Sequence, residues 1–357
     1  MRIFYYKFLK NIVSIYMILF MFFSYRLTYN AFYCEIHNDK ETGGIYNEEV
    51  FLSGEIVGIY THTNGVFVID TCEVENEEGE FVNPTSYKLK TGDYICEIND
   101  NVLQEKEDMI SLIKNSKGKE LKFLINRNGK ERVEYLTPVM SRSGEYMLGV
   151  WIKDDLAGVG TITYINKEGV FAALGHGMVN GETKELLQVK EGDIYASKVI
   201  GIQKGRVGEP GEVKGVIKYG KNNHIGNVDI NCAKGIYGML DDDDKENIQM
   251  ENLYPIAAKQ ELEIGAAQIV SEISGERKYY NIEITYVDYL AANTNKGIHI
   301  KVVDEDLLNL TGGIVQGMSG SPILQNGKLV GAVTHVLIND PTQGYGIFIE
   351  NMLNVEK

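Results

Sequence analysis

Near the C-terminus, Gly317-Met318-Ser319-Gly320-Ser321-Pro322 places a serine on a tight glycine turn. The glycines let the backbone bend sharply and expose amide N–H groups, so those of Gly317 and Ser319 could hold an oxyanion if Ser319 attacked a carbonyl. Pro322 suits the start of a following strand, where no ladder donor is required. The same residues also describe an ordinary Gly/Ser turn, so the chemistry depends on a partner elsewhere. A serine hydroxyl attacks only as a base takes its proton. Of the six histidines, His37 borders a polar linker and His62 falls in an N-terminal domain. His224 lies in a polar loop, His299 in an alternating strand, and His335 close after the serine turn without glycines around it. His176, between Gly175 and Gly177 at a strand end, best fits a general base. An acid must then fix the imidazole tautomer. Asp229, Asp288, Asp304 and Asp306 are candidates. Asp304 ends the run His299–Val303, which would set it at a barrel mouth, whereas Asp306 suits a solvated or helix-capping role.

These residues need strands to carry them. From Ser141 onward, short β-branched runs recur without intervening helices: Ala157–Tyr164, Gly169–Leu174, Ala196–Gln203, Glu212–Ile217, Gly235–Met239, Ile264–Val270, Lys278–Val287, Gly297–Val303, Ser321–Leu324, Lys328–Thr334 and Gly344–Ile349. That pattern predicts an antiparallel barrel or sandwich, in a chain that is mainly β. Before it, about Val50 to Pro138 reads as a separate domain. Ile56–Tyr60 and Gly65–Ile69 predict a hairpin around Thr63-Asn64-Gly65. Gln104–Asn115 has helical spacing, with Met109, Leu112 and Ile113 on one face. Leu121–Asn126 and Glu131–Leu136 predict a second hairpin across Asn128-Gly129.

At the N-terminus, Arg2, Lys7 and Lys10 precede an apolar run over Ile12–Tyr25, the pattern of an export signal or signal anchor. The resulting organisation is a signal segment over 1–30, a polar linker over 31–49, a first domain over 50–140 and a second over 141–357. The 357 residues carry 35 basic and 50 acidic side chains, a net charge of −15. This charge argues against nucleic acid or an anionic lipid surface as the main partner. Cys34, Cys72, Cys96 and Cys232 are spread too widely for a metal-ligand spacing and predict no disulfide framework. The acidic run Asp241–Asp244 reads as a solvated loop. No metal or other cofactor is expected.

The run Leu89-Lys90-Thr91-Gly92-Asp93-Tyr94-Ile95, ending in Glu97-Ile98-Asn99 and followed by the helix and hairpin, resembles a bacterial PDZ domain. That resemblance implies that Gly54, Gly58, Ile59 and Tyr60 border an edge strand receiving a peptide or C-terminus by β-augmentation. A second resemblance rests on Gly175-His176-Gly177, on Asp304, and on Thr311 through Pro322. Gly331-Ala332-Val333-Thr334-His335-Val336, Asn339-Asp340-Pro341 and Gly344-Tyr345-Gly346 extend it. Together they are similar to the stage IV sporulation protein B peptidases. The family resemblance implies a trypsin-like double β-barrel, with His176, Asp304 and Ser319 at the catalytic positions and Gly317 and Ser319 as oxyanion donors. It further implies self-cleavage and cleavage of a membrane-held regulator of an intramembrane protease that activates a late sigma factor. The site of action would be the space between mother-cell and forespore membranes. Met318 departs from trypsin-like enzymes, whose aspartate at this place pairs with a freed N-terminus. Two other functions stay open: a PDZ-type scaffold with an inactive barrel, and a general envelope quality-control protease.

Overall fold

The computed structural model describes residues 48–179, 185–242 and 252–355. The expected signal segment, nearly all of the linker, Cys34, His37, Asp243 and Asp244 lie outside the described residues. Among the described residues no helix is long and apolar enough to cross a membrane.

Strand β1 (Glu49–Leu52) leads into β2 (Ile56–Thr71), which runs 16 residues without a break. The expected hairpin at Thr63-Asn64-Gly65 does not form. Gly65 instead takes φ +96° within the strand, and a Cβ there would stand 2.7 Å from the Ile95 carbonyl oxygen. The glycine serves a close approach, not a chain reversal. Beyond it, Val66 and Phe67 pair with β3 (Tyr94–Ile98) in an α+β insert. The insert continues through α1 (Lys106–Asn115), β4 (Leu121–Arg127) and β5 (Lys130–Leu136), with β3–β4 and β4–β5 antiparallel. Here the sequence pattern holds. Met109 and Ile113 of α1 are buried with Ile95, Phe123 and Ile125 in one core. Asn128 and Gly129 turn at φ +53° and +75°, the positive values that a two-residue I′ turn demands.

The chain returns along β6 (Val150–Ile165), which pairs with β2 from Val150↔Thr71 to Thr161↔Ile56. Five more strands follow: β7 (Val170–Ala173), β8 (Val189–Gln203), β9 (Gly211–Ile217), β10 (His224–Cys232) and β11 (Gly235–Leu240). The pairings β2–β6–β7–β11–β10–β8–β2 close a six-stranded ring. Val57, Ile59, Ile162, Phe171, Ile194 and Ile236 fill it. The PDZ-like unit is therefore an insertion between two strands of the first barrel, and the expected boundaries of 50–140 begin too early.

That placement corrects the expected peptide groove. Gly58 pairs with Val159 on one side and Tyr195 on the other; Ile59 and Tyr60 are likewise paired on both edges. A Cβ on Gly54 would sit 2.9 Å from the Val270 carbonyl oxygen. A strand whose two edges are both occupied cannot accept a peptide by β-augmentation.

After β12 (Leu253–Pro255), which pairs with β1, the second barrel forms from β13 (Gly265–Ser271), β14 (Lys278–Val287) and β15 (Ile298–Val302). It is completed, after α2 (Glu305–Thr311) and the short β16 (Val315–Gln316), by β17 (Pro322–Gln325), β18 (Lys328–Leu337) and β19 (Asp340–Phe348). These close in the order β13–β14–β15–β19–β18–β17. Strict alternation drives the closure: Tyr280, Ile282 and Ile284 of β14 point inward, while Tyr279, Asn281 and Glu283 face out. The expected double β-barrel is what forms.

One polar tie spans the first barrel. His224 of β10 bonds Asp241 through Nδ1 at 2.6 Å and Asp193 of β8 through Nε2 at 3.0 Å. Burial opposes the charged imidazolium, but the two carboxylates outweigh it and hold the His224 pKa above its ordinary value. A group with a raised folded pKa stabilises the fold fully below its unfolded pKa of about 6.5. That contribution is lost as pH rises through the folded pKa. His224→Gln should therefore flatten the fall in stability across the neutral range, read as urea midpoints against pH. An unchanged pH profile would show that the tie does not matter.

Candidate active site

Ser319 lies in the turn between β16 and β17. Gly317 and Gly320 hold φ +100° and +96° there, and a Cβ on Gly320 would fall 2.0 Å from the Thr161 carbonyl oxygen. Only glycine permits so close an approach between the turn and β6. The turn is gripped from β6 by three hydrogen bonds. Thr161 N–H donates to the Ser319 carbonyl (3.0 Å), Thr161 Oγ1 to the Gly317 carbonyl (2.8 Å) and Thr163 Oγ1 to the Gly320 carbonyl (2.7 Å). From the other barrel, Gly320 N–H donates to the Val333 carbonyl at 2.8 Å. The Ser319 N–H has no acceptor among the described residues. Met318 is fully buried in the second-barrel core beside Ile323, Val333 and Phe348. The residue before the serine thus anchors the turn by packing, in the place where trypsin-like enzymes use an ion pair.

His176 reaches the same region from the first barrel. Leu174 and Gly175, at φ +68° and +66°, turn the chain at the end of β7. The Leu174 N–H donates to the Thr161 carbonyl at 3.1 Å, which offsets the cost of a leucine in the left-handed region. A Cβ on Gly175 would press on the Ile347 and Thr334 side chains at 2.9 and 3.0 Å, so glycine is what lets the histidine segment meet the second barrel. His176 Nδ1 lies 3.0 Å from the Gly177 carbonyl oxygen. A carbonyl only accepts, so Nδ1 carries the proton and Nε2 is left as the basic nitrogen. Burial holds the His176 pKa below its ordinary value, which keeps the ring neutral and able to take a proton at neutral pH.

Ser319 and His176 converge on the same stretch of β18. Ser319 Oγ donates to the Thr334 carbonyl at 2.9 Å, and the His176 ring lies 5.1 Å from that of His335. Burial, then the neighbouring His176 and Lys296, push the His335 pKa down to about 4, so this second imidazole is neutral as well. Its Nδ1 is buried and has no hydrogen-bond partner among the described residues. Asn231 of β10 braces the histidine segment. Its side chain accepts from Met178 N–H (2.8 Å) and donates to the Met178 and Leu187 carbonyls (3.1 and 2.9 Å). Asn295, bonded to the Ala233 carbonyl at 2.7 Å, ties the two barrels beside it. Neither asparagine stood out in the sequence, because a carboxamide in a strand or loop carries no motif.

Asp304 is not brought to His176. It caps α2 instead: Oδ1 accepts from Leu307 N–H at 3.1 Å and Oδ2 from Asn281 N–H at 3.0 Å. The expectation that Asp304 orients the imidazole and Asp306 serves the helix is thereby reversed for the capping role. The signal was present as Asp304-Glu305-Asp306-Leu307, a cap residue followed by acids in the first helical turn. No cluster of residues able to hold a metal ion occurs among the described residues.

A double β-barrel carrying a glycine-flanked serine turn and a half-buried neutral histidine at the barrel junction is a serine peptidase acting on protein or peptide substrates. Residues 144–353 match the family described as SpoIVB peptidase S55, and the chain belongs to that family. No curated protein matches the sequence. Among solved structures, the PDZ domain of an SdrC-like protein from Listeria monocytogenes is 21% identical, covering 25% of this chain and 87% of its own, with a TM-score of 0.21. The HtrA-type protease AlgW with a tripeptide is 12% identical, covering 56% of this chain and 55% of its own, at a TM-score of 0.32. An inactive form of the Rv3671c protease of M. tuberculosis is 12% identical over 56% of this chain and 81% of its own, at 0.29.

If Asp304 serves only α2 and the Asn281 N–H of β14, Asp304→Asn should leave the peptidase activity of the folded protein near that of the unaltered protein, since asparagine still caps the helix; its Nδ2 cannot accept from Asn281 N–H, so the cost falls on stability. Loss of an orienting aspartate costs about 10⁴ in kcat. Steady-state cleavage of a peptide substrate separates the two outcomes.

Proposed function

We propose that the protein is an exported serine endopeptidase in which Ser319 is the nucleophile and His176 its general base. The N–H groups of Gly317 and Ser319 receive the oxyanion. The observation that carries this reading is the convergence of Ser319 and a neutral His176, whose Nδ1–H donates to the Gly177 carbonyl, on Thr334 and His335 at the barrel junction. In this resting geometry the Ser319 hydroxyl is bonded to Thr334. Rotation about its Cα–Cβ bond toward His176 is the step that substrate binding completes.

Membership of the S55 family supports a role as a sporulation signalling protease. It cleaves itself and a membrane-held regulator, releasing an intramembrane protease that activates a late sigma factor. The N-terminal apolar segment would export it and hold it at a membrane, in the space between mother-cell and forespore membranes. Ser319→Ala should lower cleavage of itself and of the regulator by on the order of 10³–10⁶. Unchanged processing in that variant would end this assignment.

A peptide-capture role for the insert is favoured by one open edge. Among the described residues Val150–Lys153 at the start of β6 pair only with β2, and α1 is tied beside them through Lys106, whose N–H and Nζ meet Asp154 at 2.7 and 3.0 Å. An extended peptide would add to this edge, with α1 as the other wall. Hydrogen exchange with saturating peptide should slow at residues 150–153 and not at residues 56–60. Protection confined to the latter would contradict this placement.

A further inference from the structure

We infer that Thr161 is a positioning residue for the reaction, setting the orientation of the oxyanion-binding turn through its side-chain hydroxyl. The inference rests on the reading of Ser319 as nucleophile. Thr161 is fully buried and makes contacts on both sides of the serine. Its Oγ1 grips the Gly317 carbonyl at 2.8 Å and its N–H grips the Ser319 carbonyl at 3.0 Å. Its own carbonyl accepts from Leu174 N–H at 3.1 Å, two residues before His176. One residue of the first barrel therefore bears on the nucleophile turn and on the base segment at once.

The hydroxyl bond has a specific mechanical consequence. Gly317 sits at φ +100° and carries no side chain, so sterics alone leave its peptide planes many orientations. A carbonyl held against β6 removes that freedom. The same peptide is also held through Met318 N–H, which donates to the Val315 carbonyl at 3.1 Å. Without the hydroxyl that bond alone restrains the Gly317–Met318 plane, and the neighbouring N–H groups lose part of their aim at the developing oxyanion. A carbonyl brought toward that position would repel negative charge. The backbone bonds of Thr161 would survive any substitution, which isolates the hydroxyl as the part tested.

Thr161→Val keeps the volume and the β-branched shape that a strand favours, and removes only the hydroxyl donor. Misplacement of a catalytic group by about 1 Å costs on the order of 10²-fold. Thr161→Val should accordingly lower kcat by about that factor with little change in KM, and Thr161→Ser should restore most of it. Thr163→Val is the control, since it deletes an equally buried hydroxyl bond to the Gly320 carbonyl, 2.7 Å long, on the other side of Ser319. It should lower the melting temperature comparably while sparing kcat more. A fluorophosphonate probe applied to the full chain separates the two levels of failure. If the unaltered protein is not labelled at Ser319, the nucleophile assignment itself fails. If it is labelled and Thr161→Val reacts at the same rate, or if Thr161→Ser gives no rescue, the positioning role of Thr161 is overturned. Should Thr161→Val not fold, Thr161→Ser and Thr161→Cys at matched stability decide, because serine keeps the donor and cysteine replaces it with a weak one.

Discussion

The site depends on contact between a strand of one barrel and a turn of the other. Thr161 and Thr163 of β6 are buried between the barrels, and their donors end on three carbonyls of the nucleophile turn. With no water to compete there, each bond is stronger than on a surface, and leaving one unmade would be costly. The packing imposes its own sequence requirement. The turn lies so close to β6 that Gly320 cannot carry a side chain, and Met318 must be apolar because it fills the core beneath. The same threonine holds Leu174, so base and nucleophile share a single support. Separating the barrels would dissolve the site without breaking either core.

The insert shares this framework. Both β2 and β6 pass without interruption from the PDZ-like unit into the first barrel. The strand that offers an open edge at Val150–Lys153 is the one that grips the serine turn eight residues further on, at Thr161. Lys106 at the start of α1 is paired with the buried carboxylate of Asp154, which ties the helix to that strand. Its Nζ is held above the ordinary lysine pKa by the Asp154 bond, so the pair remains charged throughout the neutral range. A module built on two shared strands moves with the barrel, unlike one joined by a flexible linker.

Local signals in the sequence read correctly where a single element satisfied them. The Asn128-Gly129 hairpin, the Met109/Ile113 face of α1 and the alternating strands of both barrels follow from turn chemistry and periodicity. The serine turn and Gly-His-Gly were also visible, as was the family they indicate. The failures share a cause, which is long-range pairing. Thr63-Asn64-Gly65 looks like a turn, but the chain does not reverse there: β6 shifts register between Asp155↔His62 and Lys153↔Phe67 and pairs with β2 on either side of the tripeptide. Pairing with β6 on one side and β8 on the other removes Gly58, Ile59 and Tyr60 from any peptide groove, and the Val270 carbonyl closes off Gly54. Asp304 was placed by its position after a strand, whereas the free N–H groups of α2 and β14 claim both of its oxygens. Asn231 and Asn295 act through neighbours remote in sequence, so no spacing rule could reveal them.

The central claim is that Ser319 is activated by His176 with its tautomer set by the Gly177 carbonyl. Covalent labelling by a fluorophosphonate, followed by peptide mass spectrometry, addresses it most directly. The account predicts a single adduct at Ser319 that disappears in His176→Ala and persists in Asp304→Asn. An adduct on another serine, or labelling of Ser319 that survives His176→Ala but not Asp304→Asn, would contradict it.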